Sequence, residues 1–292
     1  MKILLTGGSG DLGAVLAPQL AQRGDVPIVY DVRPPQTETA VTPTAVYLPG
    51  SILNRDQLAA AMSGVDMVVH IAAWHGIHEV RGEKDVFDFW DLNVTGTFYV
   101  LETAVRAHIP HFLHISSTSV DEWPGIYGSS KRMAEELVRT YAARHDLNAL
   151  ILRPRAFIPY WNKATYANYV EWARWFWKGA VHINDVAQAT LKSIDLLTRQ
   201  TFTEPPILTV DGDYDFSPAD LADWDAAGPG STFARVYPGY TAVVQQYNLD
   251  PAVKPHALDI SETRRLLGYE PQYSLRHLLQ ELVQYGPAGP PV

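Results

Sequence analysis

Short apolar runs alternate with amphipathic stretches through the first half of the chain. Runs of four or five apolar residues suit buried strands, and the stretches between them carry apolar residues at helical spacing. The predicted strands are 2–5, 27–30, 45–48, 67–71, 112–115 and 149–152, and the predicted helices are 14–23, 54–62, 87–108 and 127–145. This alternation predicts an α/β fold, a Rossmann-type doubly wound parallel sheet with helices on both faces.

The pattern is less regular after Pro154. Residues 160–177 are rich in aromatic side chains, and residues 184–197 predict a helix whose N-cap is Asn184. Residues 201–257, rich in Pro, Gly and Asp, predict loops with short elements, and residues 261–267 and 274–285 predict two closing helices. We therefore predict that residues 1–153 and about 181–200 form the Rossmann domain. Residues 154–180 and 201–292 are predicted to form a small C-terminal substrate-binding subdomain.

Composition excludes several classes of protein. The 292 residues include 23 Lys and Arg against 32 Asp and Glu, a net charge of −9 without a basic block, which argues against nucleic-acid or anionic-membrane partners. The chain has no cysteine, which favours a reducing cytoplasm. No apolar run approaches the length of a membrane span. The sequence thus predicts a soluble cytoplasmic protein.

A glycine-rich turn follows the first predicted strand and precedes a helix. Such a turn leaves backbone N–H groups and a positive helix end free to bind a pyrophosphate. Gly7 permits the tight turn, Gly10 lets phosphates approach the backbone, and Gly13 lets the helix lie close to the strand. Asp31 ends the second strand 18 residues after Gly13, where a dinucleotide site needs a carboxylate for the ribose hydroxyls. The sequence therefore predicts a dinucleotide site.

Tyr127 and Lys131 are four residues apart on a predicted helix and share one face. A nearby ammonium would lower the pKa of the phenol and allow it to exchange a proton with a substrate hydroxyl. The alternative is an ordinary pair on an exposed helix face, because such spacings are common.

Several further motifs occur in a fixed order along the chain. They are His70-Ile71-Ala72-Ala73, Asn93-Val94-Thr95-Gly96-Thr97, Ser116-Ser117-Thr118, Tyr127 to Lys131, Leu152-Arg153-Pro154 and His182-Ile183-Asn184-Asp185. With the glycine turn and Asp31, this set resembles an extended short-chain dehydrogenase/reductase of the NAD-dependent epimerase/dehydratase family.

The resemblance implies a role for each matching residue. Tyr127 would be the acid/base, Lys131 would lower its pKa and hold the nicotinamide ribose, and Thr118 would hydrogen-bond the reacting oxygen. Asp31 implies NAD as the cofactor, because the 2′-phosphate of NADP would meet a carboxylate there. The residues implied at the cofactor site are Gly7, Ser9, Gly10, Asp11, Leu12, Gly13, Asp31, Arg33, Ser51, Ile52, Ile71, Ala72, Ala73, Asn93, Ser116, Tyr127, Lys131 and Pro154.

Two segments that would border the substrate are short. Eight residues separate Thr118 from Tyr127, and 27 residues separate Pro154 from His182. This shortness resembles the uronate dehydrogenase branch, whose substrates are free sugar acids, and indicates a small sugar or sugar acid rather than a nucleotide sugar. The candidate substrate residues are His75, Thr118, Arg155 and Arg174. Two histidines, His75 and His78, are not accompanied by a carboxylate cluster, so no metal is predicted.

Three alternatives stay open at this point. One is a nucleotide-sugar epimerase or dehydratase with tightly bound NAD, although the acids Asp121 and Glu122 come two positions later than in the dehydratases of this family. Another is a non-catalytic NAD-binding regulatory protein. The aromatic segment 160–177 is either core packing or a platform for a sugar.

The resemblance also implies a homodimer formed through helices 87–108 and 127–145.

Overall fold

Seven parallel strands form the sheet. The computed structural model describes residues 1–35, 45–122, 124–224 and 229–291. Its strands are β1 (Lys2–Thr6), β2 (Val26–Asp31), β3 (Val46–Pro49), β4 (Met67–His70), β5 (His111–Ile115), β6 (Asn148–Pro154) and β7 (Ile207–Val210). Their order is β3-β2-β1-β4-β5-β6-β7. Because the order reverses between β1 and β4, a crevice opens at the carboxyl ends of these strands. The predicted doubly wound sheet is confirmed.

Helices cover both faces of this sheet. They are α1 (Asp11–Gln22), α2 (Arg55–Ala61), α3 (Gly76–Val80), α4 (Val86–Phe89), α5 (Gly96–Arg106), α6 (Ile126–His145), α7 (Tyr169–Phe176), α8 (Ile183–Arg199), α9 (Pro218–Ala222), α10 (Pro229–Val236), α11 (Thr241–Gln246), α12 (Ser261–Leu267) and α13 (Leu275–Tyr285). Short 3₁₀ turns span Thr118–Asp121 and Gly286–Ala288. Within the described ranges, no helix has both the length and the apolar character that a bilayer crossing requires.

The helix predicted over 87–108 has an irregular centre. A π-helical turn, Trp90–Thr95, joins α4 to α5. Such turns add a residue to the helical turn and often occur at functional sites. This one carries Asn93, whose side chain is 1% exposed.

The aromatic segment after β6 is core. Tyr169, Trp172 and Phe176 on α7 are each 1% exposed, and they pack with buried leucines of α13. Of the two interpretations of this segment, the structure supports core packing, because these rings are buried in a cluster of their own beneath the C-terminal helices.

Two features of the second half differ from the predictions. Residues 207–210, assigned to the substrate-binding portion, form β7 and pair in parallel with β6. This strand depends on a partner 56 residues earlier, Ile151 opposite Ile207, which local pattern does not reveal. The predicted cap Asn184 was also wrong. Helix α8 begins at Ile183, and the His182 ring accepts a hydrogen bond from the Asn184 N–H at 3.3 Å.

Two histidines lie side by side in the middle of the sheet. His70 on β4 and His114 on β5 are buried, and their rings stack with centroids 5.4 Å apart. The His70 ring binds the hydroxyls of Thr6 at 2.7 Å and Thr97 at 2.9 Å. Neither ring nitrogen of His114 has a hydrogen-bond partner among the described residues. Burial lowers the pKa of both rings, that of His70 to about 3.

We expect opposite effects on stability from replacing these two rings. His114→Phe should raise the free energy of unfolding by about 1 kcal/mol, because it removes an unpaired buried polar group. His70→Phe should lower it by about 1–3 kcal/mol, because two hydroxyls lose their partner. Urea unfolding measures both variants.

The wild-type protein should also lose stability as the pH falls below 6.5. The unfolded chain then binds a proton at His70, whereas the folded protein does not bind it until about pH 3. A profile flat from pH 7 to 5 would contradict this.

Candidate active site

The glycine turn between β1 and α1 forms an open cradle of backbone. Gly7 has φ +68°, and a Cβ there would lie 2.7 Å from the backbone of Ala72. A Cβ on Gly13 would lie 2.3 Å from the Gly8 carbonyl oxygen. Gly10 is the N-cap of α1 and has no side chain to occupy the first N–H groups of the helix. These N–H groups thus remain available for an anion at the positive end of α1.

Asp31 closes the other side of this cradle at the end of β2. Its carboxylate is 8% exposed and accepts the N–H of Ser9 at 3.1 Å and of Arg33 at 3.0 Å. The Ser9 hydroxyl donates to the Arg33 carbonyl at 2.7 Å, which fixes the turn against the segment after β2. A fixed carboxylate suits two ribose hydroxyls and repels a 2′-phosphate, so the cradle fits NAD better than NADP.

We expect Asp31→Ala to weaken NAD binding about 10- to 100-fold, because hydrogen bonds to a charged group contribute about 1.5–3 kcal/mol. NADP should lose much less, so the preference for NAD narrows. Calorimetric titration with both dinucleotides measures the ratio. Asp25→Ala is the control, because Asp25 pairs with the terminal amine at 2.9 Å before the opposite end of β2. An unchanged NAD preference in Asp31→Ala would show that Asp31 does not face the ribose.

The carboxyl ends of the central strands carry the other residues predicted at the cofactor site. Ile52 and Ile71 are buried, and Ala72 lies against Gly7. The Ser51 carbonyl accepts from the Tyr30 hydroxyl at 2.9 Å. The Asp11 carboxylate accepts from the Asn162 amide at 2.8 Å, so only the Asp11 backbone is free to face a phosphate. Of the remaining predicted positions, Leu12 packs in the core, Pro154 ends β6, and Ala73 follows Ala72 in the loop after β4.

Tyr127 and Lys131 lie in the first turns of α6. Lys131 is 2% exposed, and its ammonium donates to the Ile115 carbonyl at the end of β5 at 2.6 Å. Burial lowers the pKa of Lys131 to about 7, against the charge of Glu135, which raises it. Burial raises the pKa of Tyr127 to about 12, although a hydrogen bond with the Ser117 hydroxyl lowers it.

The predicted lowering of the Tyr127 pKa by Lys131 is therefore wrong for this structure. Burial of the phenol outweighs the neighbouring groups, and the charge of Glu122 adds to the increase. Lys131 itself is only partly charged near neutral pH, because burial penalises its ammonium. The phenol thus holds its proton at neutral pH.

The hydroxyl that hydrogen-bonds the Tyr127 phenol is that of Ser117, the residue before Thr118, which the resemblance assigns to the reacting oxygen. The Ser117 hydroxyl hydrogen-bonds the phenol and also accepts the Ser119 N–H at 3.1 Å. Thr118 begins the 3₁₀ turn and is half-buried. Thr118 stays a prediction.

Ser116 belongs to a buried ionic network behind the site. Its hydroxyl donates to the Glu135 carboxylate at 2.5 Å. Arg153 donates to both oxygens of the same carboxylate, at 2.9 and 2.6 Å. Ser116 thus hydrogen-bonds Glu135, the carboxylate that favours the charged form of Lys131. Lys131 lies one helical turn before Glu135 on α6.

Asn93 fixes the loop that follows β4. Its side chain binds both the N–H and the carbonyl of Trp74, at 2.7 and 3.0 Å, and donates to the Ser130 hydroxyl at 2.9 Å. The next residue, His75, places its ring centroid 6.4 Å from that of Tyr127. The His75 ring is exposed to the cleft, and enclosure by the surrounding protein lowers its pKa to about 4. A neutral imidazole thus lies beside the phenol, and a contact of His75 with substrate stays a prediction.

The two arginines predicted to bind substrate have other partners. Arg155 donates to Asp211 at 3.3 Å, to the Tyr214 hydroxyl at 2.7 Å and to the His256 carbonyl at 2.6 Å. Asp211 is buried and takes Arg155 as its counter-charge, and a contact of Arg155 with substrate stays a prediction. Arg174 is exposed on α7 and donates to the Tyr247 carbonyl at 2.9 Å.

Known proteins resemble this chain over its whole length or its first half. The model of the NAD dependent epimerase/dehydratase family matches residues 3–166. Protein y4nG of Sinorhizobium fredii is 26% identical over 95% of this chain and 76% of its own length. The UDP-glucose 4-epimerase of Erwinia amylovora is 26% identical over 52% of each chain, so the chain matches about half the length of this relative.

A solved structure shows the same fold. The UDP-glucuronic acid 4-epimerase of Bacillus cereus, in complex with UDP-glucuronic acid and NAD, superposes with a TM-score of 0.71 at 20% identity and 98% coverage of both chains. The cradle, the Asp31 carboxylate and the Tyr127–Lys131 pair agree with the family match, which spans all of them. This chain is a member of the NAD-dependent epimerase/dehydratase family.

Proposed function

We propose that this protein transfers hydride between NAD and a hydroxyl-bearing carbon of a small sugar or sugar acid. The observation that carries the proposal is that Tyr127 stands four residues before Lys131 on α6, with Lys131 buried and bonded to the Ile115 carbonyl at the carboxyl end of β5. Such a pair can exchange a proton with a substrate hydroxyl while a hydride leaves the same carbon.

The residues of the chain divide the proton chemistry between them. Tyr127 exchanges a proton with the substrate hydroxyl, Ser117 orients the phenol, and Lys131 supplies positive charge beside it when protonated. His75, neutral beside Tyr127, can hydrogen-bond a second hydroxyl. Gly7, Gly10, Asp31 and Lys131 would hold the cofactor. The chemistry that bound NAD supplies is hydride acceptance at the nicotinamide ring.

The substrate segment supports a ligand without a diphosphate. Two of the three arginines between residues 153 and 177 are neutralised by buried carboxylates, Arg153 by Glu135 and Arg155 by Asp211. A diphosphate needs unpaired cations or free backbone N–H groups. Together with the short connection from Pro154 to His182, this favours a small, unphosphorylated substrate.

A substrate panel tests the proposal. The enzyme and NAD are incubated with D-glucose, D-galactose, D-glucuronate, D-galacturonate, UDP-glucose and UDP-glucuronate, and NADH absorbance and sugar epimers are both measured. We expect a free sugar or sugar acid to react. Released NADH identifies a dehydrogenase, and an epimer without NADH identifies an epimerase. Reaction of the nucleotide sugars alone would contradict the proposed substrate size. NAD binding without any reaction would favour a regulatory protein.

We further propose a cytoplasmic homodimer. Phe87, Trp90 and Met133 are 74%, 48% and 43% exposed on the neighbouring surfaces of α4, the π-helical turn and α6, an apolar area that a second copy could cover. Light scattering should give twice the 32.5 kDa chain mass. The double variant Trp90→Glu/Met133→Glu should give the monomer mass, and a monomeric wild type would contradict the proposal.

The lack of cysteine supports the proposed cytoplasmic location.

A further inference from the structure

Helix α6 begins with a capping group that comes from another element. Its N-cap, Gly125, has no side chain to accept the first N–H groups. The carboxylate of Glu79 on α3 accepts the N–H of Ile126 and the N–H of Tyr127, both at 2.8 Å. Two of the four N–H groups left unpaired at a helix start are thus satisfied by one charged side chain 47 and 48 residues earlier.

The same short helix also lies against the ring of Tyr127. A Cβ on Gly76, the first residue of α3, would lie 3.2 Å from Cδ1 of Tyr127. Glu79 therefore holds the backbone of Tyr127 while Gly76 limits the position of its ring.

Helix α3 is itself fixed to the cofactor side of the cleft. Asn93 on the π-helical turn binds both backbone groups of Trp74, two residues before α3. His75, which faces the phenol, lies between Trp74 and α3. The path from Asn93 through Trp74 to Glu79 consequently sets the position of Tyr127 relative to the groups that face the cleft.

We propose that Glu79 is a positioning residue for Tyr127. A cap within α6 would satisfy the same N–H groups but would not fix the phenol relative to the cleft. Glu79 does both, and its negative charge also suits the positive start of the helix. This inference rests on the proposed role of Tyr127 as the acid/base. A displacement of about 1 Å in such a group can reduce the rate about 100-fold.

The test compares three variants. Glu79→Gln keeps the size of the side chain but can accept only one N–H well, and Glu79→Asp keeps the charge with a shorter reach. Glu83→Gln is the control, because Glu83 lies in the same segment, is exposed and pairs only loosely with Arg81 at 3.6 Å. For each variant, kcat and KM are measured with the panel sugar that reduces NAD fastest, NAD affinity by titration, and amide hydrogen exchange at residues 126 and 127 with NAD alone.

We expect Glu79→Gln to lower kcat about 10- to 100-fold. KM and the NAD dissociation constant should change less than about threefold, exchange at both amides should accelerate, and Glu79→Asp should recover part of kcat. An unchanged kcat in Glu79→Gln, or a loss shared equally by kcat and NAD affinity, would overturn the proposal. Unchanged amide exchange would overturn it even if no panel sugar reacts. Reaction that survives in Tyr127→Phe would instead overturn the proposed function.

Discussion

Tyr127→Phe is expected to lower turnover by about 10²- to 10⁴-fold while the NAD dissociation constant changes less than about threefold. The substitution removes one hydroxyl and keeps the ring, which contacts His75 and Phe89 at centroid distances of 6.4 Å. Binding of the dinucleotide depends on the cradle and Asp31, so it should persist. The loss should therefore appear in kcat, measured by NADH formation at saturating NAD.

The direction of the pH dependence follows from the burial of the phenol. Because the pKa of Tyr127 is raised to about 12, the side chain is protonated at neutral pH and is suited to donate a proton. Oxidation of an alcohol requires the phenolate, so the wild-type oxidation rate should rise with pH above neutrality.

The control for Tyr127→Phe is Tyr141→Phe, farther along α6, because the Tyr141 hydroxyl binds Glu102 at 2.8 Å away from the cleft. Turnover by Tyr127→Phe at the wild-type rate would show that another group moves the proton.

Glu135→Ala is expected to lower the free energy of unfolding by about 3 kcal/mol. The variant removes the acceptor of three hydrogen bonds, two from Arg153 and one from Ser116. The Glu135 side chain is 3% exposed and that of Arg153 is 24% exposed, so the arginine would lose its main partner in a largely dry setting. Asp121, 3.8 Å from Arg153, compensates only in part, because its side chain is 78% exposed. Urea unfolding measures the change.

Glu135→Ala should also reduce turnover, because Glu135 favours the charged form of Lys131. Two further variants separate pairing from burial. Glu135→Leu with Arg153→Met should recover most of the lost stability, since removing both charges leaves neither unpaired. Glu262→Gln breaks an exposed pair with Arg265 and should change stability far less than Glu135→Ala does. Equal losses in Glu135→Ala and Glu262→Gln would contradict a buried network.

Local spacing predicted the parts of the site that lie within single elements. The glycine turn, Asp31 at a strand end, and Tyr127 four residues before Lys131 each need only one strand or one helix to be placed. Each of these features combines residue types that are seldom found together elsewhere in proteins. For that reason the cradle and the position of the acid/base helix agree with the sequence interpretation.

The features that the sequence did not predict depend on contacts between distant segments. Glu79 meets Tyr127 only after α3 and α6 have packed, and Arg155 meets Asp211 only after β7 has joined the sheet beside β6. The pKa of Tyr127 is raised rather than lowered as the sequence predicted, because burial, which no spacing reports, has the largest effect on it. The hydrogen bond between Ser117 and the Tyr127 phenol likewise joins the segment after β5 to α6.

The central claim is that the crevice between the cradle and Tyr127 transfers hydride to NAD. The most direct test uses the reactive panel sugar carrying deuterium at the carbon that is oxidised. After incubation, the enzyme is denatured and the extracted cofactor is analysed by mass spectrometry, so that cofactor retained by the protein is also counted. We predict reduced cofactor that contains one deuterium in the wild type, formed about 10²- to 10⁴-fold more slowly by Tyr127→Phe. Reduced cofactor without deuterium, or oxidised cofactor alone with neither an oxidised sugar nor an epimer formed, would contradict the claim.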